Sequence, residues 1–530
     1  MGIYLNPGNR SFRDSLNSEV YVDKSEMVAE LNRSFRTEQK YVCVSRARRF
    51  GKTMMTNLLS AYYSKGCDSR ALFEGLKLAR KPGWDAHLNA VNVIKFDMNA
   101  ELCDAAVKAD VVKNLQASVV GELREVFPGA GVEPGDSIAR SIAKIYNETG
   151  ETFVFLVDEY DILIREDSAP QSLRDEYIAM LNALFKGGLA GSAISLAYIT
   201  GILPIIRERV QSKLNNFTEY TMLAPKRLAS YVGFTEDEVR GLCGRFGMDY
   251  ESCRRSYDGY GFPGADHIFN PNSVVKAMRN GDYANYWVQT SALDAITFYL
   301  DANLDGLQTD ILTMLEGGEV DVDTHGYDNS VSRFKNKNHV FTYLIHLGYL
   351  AYDSASGRCR IPNGEIREAW FSIMDESNDF GTVKAMIDAS RDLLRSTEHG
   401  DANAVAAALD RAHSEISSSL TYNRESTLQS AILMAYFYAR KDYAILPELN
   451  SGKGYADVVL VPQSPRNRPA IIIELKCGGA PEVALRQIRE RDYSDRLRSF
   501  RGGIVCVGVA YDPVSKTHSC AIERNYSLQM

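Results

Sequence analysis

The stretch YVCVSRARRFGKTMMTNLLSAYYS, residues 41–64, decides how the chain is read. Its first five residues form a short apolar run of the kind that makes a strand covered on both faces, and MMTNLLSAYYS reads as a helix. Between them lies RARRFGKT, where Gly51, Lys52 and Thr53 hold the last three positions of a Walker A loop. A turn from strand to helix presents free amides at the helix N-terminus. These cradle phosphates, Lys52 reaches the β and γ phosphates, and the Thr53 hydroxyl binds magnesium. Arg49 and Met54, on either side of this triplet, complete the expected nucleotide contacts. Arg46 departs from the general motif, because it stands where the first glycine is usual. GKT alone also fits a basic turn before a helix.

Further along, residues 153–157, FVFLV, form an apolar run that ends in Asp158 and Glu159. An acidic pair at the carboxyl end of a buried strand has the chemistry of a Walker B motif: Asp158 holds magnesium through water, and Glu159 positions the attacking water. Another strand, residues 194–199, ends at Thr200 and Gly201, where a residue sensing the γ phosphate would lie. With further runs at 41–45 and 91–96, the pattern is alternating β and α around a parallel sheet. The expectation is an ATP site with Mg²⁺ held by Thr53 and Asp158.

A second constellation stands near the far end of the sequence. Asp457, in GYAD, heads the strand VVLVP, and Glu474 and Lys476, in IIIELK, end the next one. Carboxylates converging from adjacent strands, with a lysine two residues on and so on the same face, can hold Mg²⁺ or Mn²⁺ and organise a water beside a phosphodiester. Upstream, Glu425 opens a helix over 425–440; downstream, a helix over 481–500 supplies Gln487. The expected order is helix, three strands (443–449, 455–462, 470–476), helix, strand (503–510) and a final strand. Arg486, Arg489, Arg491, Arg496 and Arg498, with Arg501 just beyond, make this last helix basic. Glu490, Asp492 and Asp495 are interleaved, so phosphate contact and a solvated face are equally served.

These residues carry a family resemblance. YVDKSEM, RARRFGKT, VDEYD, ITG and LNN, followed by YDGYGF, FNPNSV, NYWVQT and IPNGEI, resemble the bacterial and archaeal AAA-ATPase-like family fused to PD-(D/E)xK nuclease domains. Family loops commonly lack the first glycine and carry arginines, so the resemblance accommodates Arg46; Ala47 stands where they often have proline. It implies catalytic roles for Glu159, Asp457, Glu474, Lys476 and Gln487, with Glu425 as a further metal ligand. It also implies a DNA substrate ahead of RNA, in defence or mobile-element biology. The expected fold class is α/β: an AAA-like P-loop domain over 1–233, a helical lid or connector over 234–375, and a restriction-endonuclease-like domain over 376–530. The connector includes a winged-helix-like unit built from VFTYLIHLGYL and a hairpin turning at 353–357.

Composition bounds the rest. The 530 residues exceed one compact core, and a net charge of −8 leaves any contact with phosphates to local basic surface. Nine scattered cysteines without a CxxC pair, and eight histidines without ligand spacing, argue against structural zinc and for reduced thiols. No apolar run spans a bilayer and no secretory signal core opens the sequence, so a cytoplasmic protein without membrane contact is expected. Its expected partners are nucleic acid and a second copy of the chain through the ATPase domain. Two other classes compete with an ATP-coupled nuclease: a nucleotide-switched binding protein with an inactive nuclease fold, and an adaptor using the helical middle region.

Overall fold

The computed structural model describes the chain except residues 1, 106, 166–168, 206–213, 288–293, 328–333, 377–380, 417–431, 451–454, 463–467, 491–502 and 525–530. It divides into two compact units, Met1–Ile366 and Arg367–Met530. The segment expected as a connector therefore belongs, up to Ile366, to the same unit as the P-loop.

The first unit is built on β1 (Tyr41–Ser45), β2 (Asn92–Asp97), β3 (Phe153–Asp158), β4 (Ile194–Gly201) and β5 (Thr218–Tyr220), in the spatial order β2-β3-β4-β1-β5 with every pairing parallel. Every residue of β1, β3 and β4 is buried, as continuous apolar strands in a covered parallel sheet must be. Helix α1 (Lys52–Tyr63) packs on β2 and β3. Helices α2 (Val111–Val126) and α3 (Ile138–Thr149), the short α4 (Ile162–Arg165) and α5 (Gln171–Phe185) join residues of β1 to β4 in one core that includes Ile94, Phe155, Leu123, Ile142 and Leu184. Ser137 caps α3, its side chain accepting from the Arg140 amide, and Gly150 ends it at φ 73°.

Strands β6 (Phe234–Thr235), β7 (Tyr260–Phe262) and β8 (Ala265–Phe269) form a small antiparallel sheet in the order β6-β8-β7. Helices α6 (Glu236–Phe246), α7 (Tyr250–Tyr257) and α8 (Pro271–Asn280) pack with it around Leu242, Cys253, Tyr257 and Phe269. Lys24 ties the N-terminal motif to this module: its ammonium donates to the Ser230 carbonyl and to Glu238, both at 2.6 Å. Helix α9 (Leu307–Leu315), β9 (Val320–Asp321), α10 (Lys337–Leu347), β10 (Ala351–Asp353) and β11 (Arg358–Arg360) follow, with β11 central in the order β10-β11-β9. Helix α10, the β10–β11 hairpin and α11 (Gly364–Glu376) follow in the helix, hairpin, helix order expected over 338–374.

The motifs of the middle region meet in space. Asn363 donates to the Asp258 carbonyl at 2.7 Å, Ser273 to the Glu365 carboxylate at 2.9 Å, and Asn285 to the Glu365 carbonyl at 3.2 Å. YDGYGF, FNPNSV, NYW and IPNGEI thus form one packed junction.

In the second unit α12 (Gly381–His399) packs against β15 (Ile504–Asp512), and α13 (Ala402–Ile416) against β16 (Thr517–Arg524). With β12 (Tyr443–Asn450), β13 (Tyr455–Pro462) and β14 (Ala470–Cys477) these strands form a sheet in chain order, parallel only between β14 and β15. Helix α14 (Pro481–Glu490) covers one face through Leu485 and Ile488, packed on Val459, Ile472 and Cys506. The strand, helix, strand succession matches the expectation. The expected helix over 425–440 and the 491–500 half of the basic helix fall wholly or partly outside the described residues.

Gly259 shows what the junction requires. Its φ is +120°, and a Cβ there would stand 2.0 Å from the Pro362 carbonyl oxygen. Gly259→Ala is expected to cost about 2–4 kcal/mol, strain and overlap combined. Gly264, at φ +83° with open space around it, should cost only about 1 kcal/mol on the same change. Thermal and denaturant melts of the two variants check the difference.

Candidate functional site

In a parallel sheet the functional end is the carboxyl end of the strands. The order β3-β4-β1 puts the end of β4 between the P-loop and the acidic pair. Gly51, at φ 88°, starts α1 in a left-handed turn, and nothing lies within 4 Å of where its Cβ would be. Lys52 is buried, with its ammonium 3.2 Å from the carbonyls of Arg46 and Ala47 and 3.6 Å from Glu159. Thr53 and Met54 are exposed at the start of the helix. Thr56 donates to the Asp158 carboxylate at 3.4 Å, and the Thr53 side chain acts on the same carboxylate, drawing its pKa down.

Asp158 is almost wholly buried. Burial pushes its carboxyl up to about 6, against the opposing pull of the Thr53 hydrogen bond and the Lys52 charge. A carboxylate kept in low dielectric without full compensation suits a cation. With the left-handed glycine, the buried lysine and Thr53 acting on the buried Asp158, these residues fit a nucleotide bound with magnesium.

Glu159 adopts φ 48°, uncommon for a residue with a side chain. Its carboxylate lies between two cations, Lys52 and, at 3.5 Å, Arg165. Thr200, expected to face the γ phosphate, is fully buried and instead donates its hydroxyl to the Val44 carbonyl at 2.8 Å. Reaching a phosphate would require that bond to break.

Arg46, the departure from the general motif, is a structural residue of the loop. Its amide donates to the Gly201 carbonyl, and its guanidinium donates to the carbonyls of Ser45 (2.9 Å) and Tyr220 (3.0 Å) and lies over the Phe262 ring. Complete burial lowers its pKa to about 10, and Nε and Nη2 have no hydrogen-bond partner among the described residues. Arg49 turns away from the loop to donate to the Tyr286 carbonyl at 3.2 Å, at φ 68°. Asp161 and Arg165 were not singled out in the sequence; VDEYD contained the first, and nothing in the local pattern marked the second.

In the second unit, β13 and β14 pair Val458 with Ile473, so the next antiparallel position sets Asp457 opposite Glu474. Asp457 accepts from the Leu475 amide at 2.7 Å, which fixes its carboxylate across the strand pair. Glu474 is 1% exposed and Lys476 lies 3.8 Å from it. Gly508 is the parallel partner of Glu474, and a Cβ on it would stand 2.3 Å from the Pro481 carbonyl oxygen at the start of α14. Gln487 is half-buried on α14. Glu425 lies outside the described residues, and among the described ones no group of three His, Cys, Asp or Glu side chains gathers as a metal site. The paired carboxylates and the lysine nevertheless have the donor chemistry of a divalent-cation site.

Residues 8–211 match the family model described as "Predicted AAA-ATPase", and residues 423–519 match the PD-(D/E)XK nuclease superfamily. Among curated proteins, none matches the sequence. Similar solved structures include Aeropyrum pernix ORC2 in ADPNP and ADP complexes, at 11% identity, covering 69% of this chain and 97% of that one, with a TM-score of 0.33. Others are the E. coli MS115-1 HORMA:CdnC:Trip13 complex (11%, 48% and 72%, 0.25) and the replication initiator DnaA bound to AMPPCP and single-stranded DNA (12%, 72% and 93%, 0.26). Likenesses this distant carry no argument about activity.

The Asp158 carboxyl generates a stability prediction. A folded pKa raised above the unfolded value penalises folding once the group ionises, so the penalty is absent below the ordinary value of 3.8, grows up to about 6 and is complete above it. Asp158→Asn is expected to stabilise the nucleotide-free, metal-free protein by about 2–3 kcal/mol near pH 8, and not near pH 4. Thermal melts across that range check the convergence.

Proposed function

For a chain that carries an AAA-ATPase-like domain followed by a PD-(D/E)XK nuclease superfamily domain, we propose ATP hydrolysis coupled to metal-dependent cleavage of a polynucleotide, DNA ahead of RNA. The observation that carries the first half is the convergence of Lys52, Thr53, Asp158 and Glu159 at the ends of β1 and β3. The loop amides and Lys52 hold the phosphates, Thr53 and Asp158 hold the metal, and Glu159 orients the attacking water. Magnesium supplies charge neutralisation on the transferred phosphoryl group.

The second half rests on the register that sets Asp457 opposite a buried Glu474 with Lys476 alongside. In this reading the carboxylates hold Mg²⁺ or Mn²⁺ and Lys476 stabilises charge on the phosphate, and Gln487, half-buried on α14, is the further catalytic residue that the family resemblance implies. The preference for DNA and a setting in defence or mobile-element biology follow from family resemblance.

Lys52→Ala is expected to abolish ATP binding, measured by displacement of a fluorescent analogue. Glu159→Gln should bind ATP and lose at least about 100-fold in turnover. Normal hydrolysis in both variants would sink this site.

Asp457→Ala should stop cleavage of labelled single- or double-stranded DNA or RNA in Mg²⁺ or Mn²⁺ while ATP hydrolysis by the full chain continues. Under coupling, Glu159→Gln saturated with ATP cleaves at a rate different from the nucleotide-free protein. Cleavage persisting in Asp457→Ala preparations free of contaminating nuclease overturns the second site, and equal rates in all nucleotide states remove the coupling.

A further inference from the structure

We propose that Arg165 is the positioning residue of Glu159, an assignment that rests on the ATPase reading and specifies how its water-orienting carboxylate is aimed. Arg165 stands at the end of the short helix α4, with a side chain only 4% exposed. Its Nη2 lies 3.5 Å from Glu159 Oε2, and its Nε lies 3.5 Å from Asp161 Oδ2. Asp161 is itself immobilised, accepting from the amides of Ile202 (3.1 Å) and Leu203 (2.9 Å). Gly201 permits this closeness, since a Cβ there would stand 2.4 Å from Asp161 Oδ1. The end of β4 therefore reaches Glu159 through two buried charged side chains.

The other cation on Glu159 is Lys52, 3.6 Å from Oε1. Phosphate oxygens are the stronger partner for a P-loop lysine, and a lysine engaged with them is withdrawn from the carboxylate. Arg165 then remains as the charged hold on Glu159. Its planar guanidinium can face both Asp161 and Glu159, which a point charge cannot do in one fixed geometry. Glu159 also sits at a left-handed backbone position, as residues held by their surroundings at functional sites often do. A small displacement of a group that must orient a water lowers the chemical step and leaves ground-state binding alone.

A purely structural role for Arg165, neutralising Asp161, predicts something different: lower stability with ATP turnover per folded molecule intact. The test uses the full chain. Arg165→Gln keeps the volume and removes the charge. It is expected to lower kcat for ATP hydrolysis roughly tenfold or more, with KM and nucleotide affinity unchanged. Arg165→Lys should recover part of the loss. On a Glu159→Gln background, Arg165→Gln should add nothing to the residual rate, because both act through one carboxylate.

Asp161→Asn keeps an acceptor for Ile202 and Leu203 while loosening Arg165. It should lower kcat in the same sense by a smaller factor, and it carries the test if Arg165→Gln folds poorly. A wild-type kcat in folded Arg165→Gln, or in folded Asp161→Asn, overturns the assignment, as does a full additional loss in the double variant. Failure of the underlying site reads differently: ATP binding would survive Lys52→Ala, or turnover would survive Glu159→Gln.

Discussion

A parallel sheet covered on both faces has no room for polar chemistry except at its strand ends, and both the site and its supports follow from that constraint. β1, β3 and β4 are buried along their whole length. Polar groups at their carboxyl ends must therefore be paired, hydrogen-bonded or left unsatisfied at a cost. Thr200 resolves this by bonding the Val44 carbonyl, whereas Asp161 accepts two amides on Oδ2 and keeps Oδ1 buried without a hydrogen-bond partner among the described residues. Asp158 also does so only in part, and burial raises both carboxyls. Groups for which the fold provides incomplete compensation are those with capacity left for a ligand.

The second unit meets the same constraint differently. Its mixed sheet brings Asp457 and Glu474 opposite each other through antiparallel register, and one backbone amide fixes Asp457. Glu474 is buried there, and the Lys476 ammonium lies 3.8 Å from its carboxylate.

Residues whose chemistry follows from local order were legible in the sequence. GKT after an apolar strand, Asp-Glu after another, and Glu-x-Lys after a third announce themselves by type and spacing. The boundaries of β13 and the start of β14 also follow from their apolar runs. Arg46 was legible only as an anomaly, because its partners, Gly201, Tyr220 and Phe262, come from three distant segments. Arg165 was not legible, since its value lies in where Asp161 and Glu159 point once β4 has been inserted between β1 and β3. Thr200 shows a related limit of local order: strand-end position indicates proximity to the site, but rotamer and neighbours decide where a hydroxyl points, and here it bonds the Val44 carbonyl.

Helix α10 and the turn that follows it are packed against the nucleotide loop. In helix-turn-helix readers the recognition helix lies with its side chains in the major groove. Here every residue from Val340 to Leu350, including the second half of α10, is buried. A Cβ on Gly348 would stand 2.6 Å from Ala47 of the P-loop, and Tyr260 donates to the Gly348 carbonyl at 2.6 Å. His346 is buried and neutral, its pKa pushed down to about 3 by burial and by the charge of Arg46. A helix held this way can present that face to a duplex only by first exposing apolar surface and a buried cation. In this arrangement the helix end is part of the packing that holds the nucleotide loop, so its position is bound to the loop's geometry before any nucleic acid is considered.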